Sequence, residues 1–343
     1  MDNVSKNILI IILLVLVFYL LTVLSSLLIP LIFACLFAIL FQPLILFLKK
    51  SKFPDFLAIP IVAIISLLIL FGIVNIIIQT TSNIASEQAF FITKFNERFS
   101  STIHWLNASF GFSFNDTNFN KEFDKLIHGD WLSNTISRLA SGIGSFTGSV
   151  IIFCIYYLVI LSGMSGYQKY IKYVGGDGSD VLLSNYEKVQ KSIFSFMLLK
   201  TMTNLCAGVV VTLICLIFGL KFPIFWGFLT FIFDYIPTVG SIVAVLPPVI
   251  MGFIQYEDIR TVIFLLICLG GFQFTIGNVI EPKIIGNRLR LNTVAVIFGL
   301  VFWGYIWGIP GMMISIPLMV ILKLIFEHIH SLNVVARLMG YPD

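Results

Sequence analysis

Charge is what this chain has least of. Asp, Glu, Lys and Arg together make up 11% of 343 residues, while 58% are hydrophobic and the mean hydropathy is +1.01. Soluble domains are about a quarter charged, so a water-soluble fold is excluded at this step. The net charge of +4 is small for the length and gives nucleic acid nothing to bind. Paired cysteines are missing too. Cys35, Cys154, Cys206, Cys215 and Cys268 all lie in apolar segments with no Cys-x-x-Cys spacing, which excludes a disulfide or metal framework and leaves them as small hydrophobes. There is no His-Glu-x-x-His, no Gly-x-Ser-x-Gly and no phosphate-cradling glycine loop. His104, His128, His328 and His330 are scattered outside the apolar segments, and Gly175-Gly-Asp-Gly178 has no second membrane aspartate beside it. An intramembrane enzyme and a nucleotide-driven pump are thereby disfavoured, and no cofactor or metal is expected.

What the chain does have is long apolar runs. Several reach the roughly 20 residues needed to cross a hydrocarbon core of about 30 Å, and none alternates as a barrel strand would. The expected fold is all-α, a polytopic helical membrane protein with about eight hydrophobic segments, two of them re-entrant broken hairpins, and a small helical extramembrane region. Segment one, about 8–28, is too long for a signal-peptide core and is read as retained. Pro30 is expected to turn the chain into segment two, which ends at Lys49, Lys50 and Lys52, a cluster that marks the cytoplasmic side.

With segment three, the N-terminal unit spans 1–79. A polar region over 80–140 follows outside. Phe91, Phe95 and Phe99 repeat there at helical spacing beside Ile92 and Ile103, and Phe119, Phe123, Leu126 and Ile127 suggest a second amphipathic helix. Segment four opens on a Gly144-x-x-x-Gly148 packing motif. With the lysine-rich return loop behind it, it occupies 141–200. Ser184-Asn-Tyr-Glu187 fits a capping box that starts a surface helix.

The transport core is expected over 201–325, with 326–343 as a cytoplasmic tail. Asn204, Gly208 and Thr212 form a four-residue stripe on segment five. Gln273, Gly277 and Glu281 form another on segment seven, with Asn278 adjacent. A charge at the centre of a bilayer costs about 2.5 to 3.5 kcal/mol on insertion scales, so these faces should look inward. Two apolar runs are interrupted: one at Pro237 and Gly240, with Pro247 further on, the other at Gly308, Pro310 and Gly311, with Pro317 further on.

Each run is either a kinked spanning helix or a hairpin. Hairpins keep Glu257 and Asp258 outside and place Lys283, Arg288 and Arg290 inside, as positive charge prefers. Broken helices from both faces are the mark of a secondary transporter with its site near the midplane. Asp234 then either caps a half-helix N-terminus or binds a cation or proton. Glu281 either couples transport or pairs with Lys283 or Arg288.

The stretch Asn278 to Leu318 resembles the autoinducer-2 exporter family of permeases. The family's Asn-x-x-Glu-Pro-x-x-x-Gly block falls on Asn278, Glu281, Pro282 and Gly286. Its Trp-Gly…Trp-Gly-x-x-Gly-x-x-x-x-x-Pro block falls on Trp303, Gly304, Trp307, Gly308, Gly311 and Pro317, and its Pro-x-x-Gly element on Pro237 and Gly240. The resemblance implies an oligomeric transporter of the bacterial inner membrane that exports a small polar signal molecule such as autoinducer-2, a quorum-sensing signal. Sodium(lithium)/proton antiport is the alternative, and a channel or scaffold the second. The implied partners are the lipid bilayer, a small polar solute or monovalent cation or proton, and further copies of the chain, with both termini cytoplasmic.

Overall fold

A computed structural model describes residues 3–50, 55–87, 90–91, 93–95, 97–98, 100–102, 148–163, 167–176, 179–285, 291–329 and 332–340. Among them every regular element is a helix. In order these are α1 (Asn3–Val23), α2 (Ser25–Lys50), α3 (Asp55–Ser86), α4 (Gly148–Gly163), α5 (Tyr167–Gly175), α6 (Ser179–Ile217), α7 (Pro223–Phe233), α8 (Val239–Gln255), α9 (Ile259–Thr275), a π-turn (Ile276–Ile280), α10 (Glu281–Ile285), α11 (Thr293–His328) and α12 (Asn333–Leu338). Five stretches are long and apolar enough to cross a membrane: Ser25–Lys50, Leu57–Ile84, Leu182–Ile217, Ile259–Ile284 and Thr293–Glu327. With α1, α4 and the α7–α8 pair, the eight expected segments are present.

Two local expectations are corrected. The break between the first two helices lies at Leu24, not Pro30, which sits inside α2. Leu24 N–H bonds to the Leu20 carbonyl and Leu28 N–H to that of Leu24, so helical hydrogen bonding passes from one helix to the next without a loop. Ser184 caps nothing. It lies inside α6, whose 39 residues run from Ser179 through the expected boundary at Lys200 to Ile217. At 1.5 Å per residue α6 is about 58 Å long, roughly twice a hydrocarbon core. The Gly144 end of the glycine pair, Phe99, the 119–127 helix, Gly286, Arg288 and Arg290 lie outside the described residues.

Both broken runs fold back on themselves. In the first, the N–H of Lys221 bonds to Gln255 Oε1 at 2.9 Å. Gln255 Nε2 donates to the Gly219 carbonyl at 2.7 Å and the Tyr256 hydroxyl to that of Phe218 at 2.6 Å. A spanning helix over the same 222–251 stretch would hold its ends about 45 Å apart. The second run bends at Gly308, whose φ of 62° and ψ of −143° suit glycine alone. A Cβ on Gly304 would lie 2.9 Å from Met312 Cγ, one on Gly311 would strike the Trp303 carbonyl, and one on Gly299 would strike Met319. The two arms of α11 therefore lie antiparallel. Asn292 closes the base by donating through Nδ2 to the carbonyls of Leu338 and Gly340.

This geometry predicts a cross-link. In a version with the five native cysteines replaced, Gly299→Cys and Met319→Cys should join on mild oxidation, read as a mobility shift on a denaturing gel. In a continuous helix twenty residues separate the pair by about 30 Å, and no intramolecular disulfide could form.

The segment after α3 packs against the base of the first hairpin. Phe91 is buried with Val211, Leu220, Trp226, Val245, Met251 and Leu265, and Phe95 meets Phe253 edge to face with ring centres 5.8 Å apart. Arg98 pairs with Glu257 at 3.0 Å and Lys221 with Glu87 at 2.6 Å. A cavity of about 140 Å³ lies here, between hairpin base and polar segment. At its rim the Lys94 ammonium, hydrogen-bonded to Glu97 at 2.9 Å, holds the Glu97 carboxyl below its ordinary range.

Candidate functional site

The stripe on α6 and the first hairpin build the site together. α7 runs along α6 at a distance only glycine permits. A Cβ on Gly208 would lie 2.7 Å from the Gly227 carbonyl oxygen, and one on Gly227 would strike Thr212 Oγ1 and the Gly208 carbonyl. One turn on, Asn204 Nδ2 donates to the Phe231 carbonyl at 3.2 Å, and at the hairpin tip the Thr201 and Tyr235 hydroxyls meet at 2.7 Å. The pairing of rising numbers on α7 with falling numbers on α6 makes the two helices antiparallel. Gly208 and Thr212 therefore face backbone rather than a cavity, while the Thr201 end of the stripe reaches the tip.

The tip is an irregular turn from Asp234 to Thr238. Ile236 N–H bonds to the Phe233 carbonyl and Gly240 N–H to that of Ile236. Thr238 takes a φ of 59°, and a Cβ on Gly240 would strike the Phe233 carbonyl. Pro237 stands within this turn, Gly240 lets α8 leave it, and Pro247 and Pro248 lie inside α8.

Asp234 stands at the C-terminal end of α7, with its own N–H bonded to the Thr230 carbonyl. It is not the N-cap of a half-helix. The residue is 5% exposed, Oδ1 accepts from Gln273 Nε2 at 3.0 Å, and Oδ2 and Gln273 Oε1 are buried with no donor among the described residues. A helix C-terminus carries a partial negative charge, so a carboxylate there has the unfavourable sign and attracts cations.

Glu281 is turned to the same helix face as Gln273 by the π-turn. Eight residues of α-helix would leave Glu281 about 80° away from Gln273 around the axis, whereas absorbing one residue in a π-bulge returns it to within about 20°. The bulge has a local cause. Pro282 has no N–H to give the Asn278 carbonyl, while Glu281 N–H bonds five residues back to Ile276. Glu281 forms an ion pair with Lys200 of α6, not with Lys283, whose side chain is exposed. Lys200 is 2% exposed. The Lys200 and Glu281 charges both act on Asp234.

Of the candidates from sequence, Asp234, Gln273, Glu281, Pro237 and Gly240 meet at or beside this cluster, with Asn204 one turn away. Asn278 is exposed and donates to the Phe274 carbonyl of its own helix. Gly308, Pro310 and Gly311 form the other tip, beside Trp307, whose Nε1 donates to the Leu21 carbonyl at 2.8 Å. Among the described residues no hydrogen bond or ion pair joins that tip to Asp234. Pro317 is buried in the second arm. The residue that sequence reasoning missed is Lys200. It falls at the end of the lysine-rich loop when the chain is divided at 200, yet it stands four residues before Asn204, so the stripe Asn204, Gly208, Thr212 extends back to it.

Comparison with known proteins points to transport. The family model described as AI-2E family transporter matches residues 8–331. A Haemophilus influenzae protein named only provisionally for transport is 24% identical over 302 residues, 87% of this chain and 85% of its own. A Borreliella burgdorferi protein, also provisionally named for transport, is 30% identical over 60% of this chain and 57% of its own length. The AI-2 transport protein TqsA of Escherichia coli strain K12 is 34% identical over 140 residues, 40% of this chain and 39% of TqsA. The chain thus spans most of the first of these relatives, little more than half of the second and little more than a third of TqsA.

Proposed function

Because the chain belongs to the AI-2E family of transporters and is a multi-pass membrane transporter, we propose that it is a secondary transporter. It moves a small hydrophilic solute across the bacterial inner membrane, driven by a gradient of monovalent cations or protons. The observation that carries this reading is Asp234: a carboxylate at a broken helix end, buried, with one oxygen lacking a donor and a lysine-glutamate pair beside it. Ionisable side chains held at such cost inside a membrane bundle mark ion and substrate pathways. Broken helix ends supply the unpaired backbone groups that transporters use.

In this reading Asp234 and Gln273 hold the coupling ion at the first tip. Glu281 shares the site's negative charge, and the second hairpin at Gly308 to Gly311 moves against the first to alternate access. The hairpins enter from opposite faces, both chain ends are cytoplasmic, and the working unit is a homo-oligomer. Autoinducer-2 is the first solute to try, since TqsA is named for it. The paired acceptor oxygens of Asp234 and Gln273 also suit sodium or lithium, which favours sodium(lithium)/proton antiport as the second reading.

The test is flux into proteoliposomes under imposed sodium, lithium or pH gradients. Asp234→Asn, verified as folded by gel filtration, should lower gradient-driven flux at least tenfold while preserving the shape of the side chain. Unchanged flux and unchanged cation dependence in that variant would remove Asp234 from the coupling role. Cation exchange with no solute dependence would select the antiporter, and flux that fails to saturate would select a channel.

A further inference from the structure

We propose that Lys200 is a built-in cation that competes with the transported one and limits the site to a single monovalent cation. The proposal rests on the reading of Asp234 as the coupling group and adds a residue to it.

Charge counting comes first. One ammonium, Lys200, is ion-paired with the Glu281 carboxylate and acts through its field on a second carboxylate, Asp234, at the junction of α6, the first hairpin and α10. The remaining groups that face them are neutral: the Gln273 amide and the Thr201 and Tyr235 hydroxyls. With both acids ionised, the cluster carries one net negative charge. One bound sodium, lithium or proton brings it to neutrality, the state a low-dielectric interior favours.

Placement comes second. Lys200 immediately precedes Thr201, whose hydroxyl touches the tip, so its side chain leaves α6 at the level of Asp234. At 2% exposure it is enclosed by protein, unlike a lysine that snorkels from a helix end. Its ion pair with Glu281 accounts for one carboxylate. The field of the same ammonium reaches Asp234, whose Oδ2 has no donor. Lys200 therefore occupies electrostatically what a second cation would otherwise fill, and it weakens the first by like-charge repulsion.

Removing that charge should alter the number and the affinity of bound cations in a predictable direction. In the full-length protein in detergent, sodium or lithium chloride is titrated against the thermal unfolding midpoint at fixed pH, with choline chloride as the ionic-strength control. The wild type should show a one-site response. Lys200→Gln should lower the half-saturating concentration at least tenfold and raise the Hill coefficient above one, since two carboxylates now lack a cation. The double variant Lys200→Gln/Glu281→Gln restores a single net negative charge and should return to a one-site response near the wild-type half-saturation. Glu281→Gln alone leaves Lys200 to neutralise Asp234 and should raise the half-saturating concentration at least tenfold, which decides the matter if Lys200→Gln does not fold. A wild type that responds while Lys200→Gln and Glu281→Gln both keep its half-saturation overturns the role of Lys200 and leaves the transport reading standing. A wild type that responds to neither cation nor to pH overturns the coupling reading, and the role of Lys200 with it.

Discussion

Replacing Glu281 by alanine should be among the most damaging single changes in the protein, and adding Lys200→Met should undo most of the damage. The ion pair joins α6 to α10 across 81 residues of sequence, with Lys200 2% and Glu281 25% exposed. Removing one partner of a buried pair costs about 3 to 5 kcal/mol, because the survivor is left charged in an apolar setting. Asp234 is close enough to compensate Lys200 in part, which puts the expected cost of Glu281→Ala at about 3 kcal/mol, the lower end of that range.

Compensation has a functional side. An ammonium drawn toward Asp234 occupies the carboxylate proposed to couple transport, and on that proposal gradient-driven flux should fall by more than tenfold even in the fraction that remains folded. Alanine is a good helix former and Glu281 gives its backbone N–H to Ile276, so the π-turn does not depend on the side chain. In the double variant both charges are gone, and apolar replacements of a buried pair are commonly neutral or stabilising. Thermal unfolding of the two singles and the double, taken as a double-mutant cycle, measures the coupling directly. Equal midpoints for Glu281→Ala and wild type would mean that the pair is solvated and does not hold α10 to α6.

How much of this is legible in the sequence follows from what each signal depends on. The eight segments and both broken runs are readable because apolar length, proline and glycine act locally. Pro237, Gly240, Gly308 and Pro310 all stand where a helix is in fact interrupted. Whether an interruption is a kink or a reversal is also a matter of charge placement, and the preference of Lys283 for the side opposite Asp258 favours the hairpin without any geometry. Partner choice is not legible. Glu281 has Lys283 two residues away, yet in a helix such neighbours point apart, and the π-turn aims the carboxylate at α6.

Lys200 is hidden for a related reason. Counting positive charges by their sequence neighbours assigns it to a cytoplasmic loop, while the helix it belongs to begins at Ser179 and turns it inward. Its four-residue distance from Asn204 is the available signal. Asp234 is ambiguous in sequence because a cap and a coupling site use the same residue type. The end of the helix on which it sits removes the cap reading: it closes α7, and its carboxylate accepts from a side chain rather than from a backbone N–H.

The α6–α7 crossing carries the last prediction. Gly227→Val should move the tip that holds Asp234 without touching any charged group. Gly208 and Gly227 face each other so closely that a Cβ added to either would meet the other's carbonyl oxygen, and Thr212 Oγ1 closes the space from the next turn. Small residues at such a crossing let backbones approach, which is the main source of helix association where lipid removes the hydrophobic drive. Most overpacked sites relax by turning a side chain. Here the obstacle is backbone on both helices, so α7 must lift away from α6. The expected loss is about 3 kcal/mol, toward the upper end for overpacking.

Lifting α7 breaks the Asn204 bond to Phe231 and the Thr201–Tyr235 contact further along the same face, so cation coupling should be lost together with stability. Gly270→Ala is the matching control. It changes a helical glycine in α9 around which no atom lies within 4 Å of an added Cβ. Its unfolding midpoint should stay at or slightly above wild type, by roughly the 0.5 to 1 kcal/mol that alanine gains over glycine in a helix. If Gly227→Val unfolded no earlier than Gly270→Ala and kept its flux, the close crossing would not be what positions Asp234. If Gly227→Val lost both while Gly270→Ala lost neither, the carboxylate at the tip would be shown to depend on two glycines that carry no chemistry of their own.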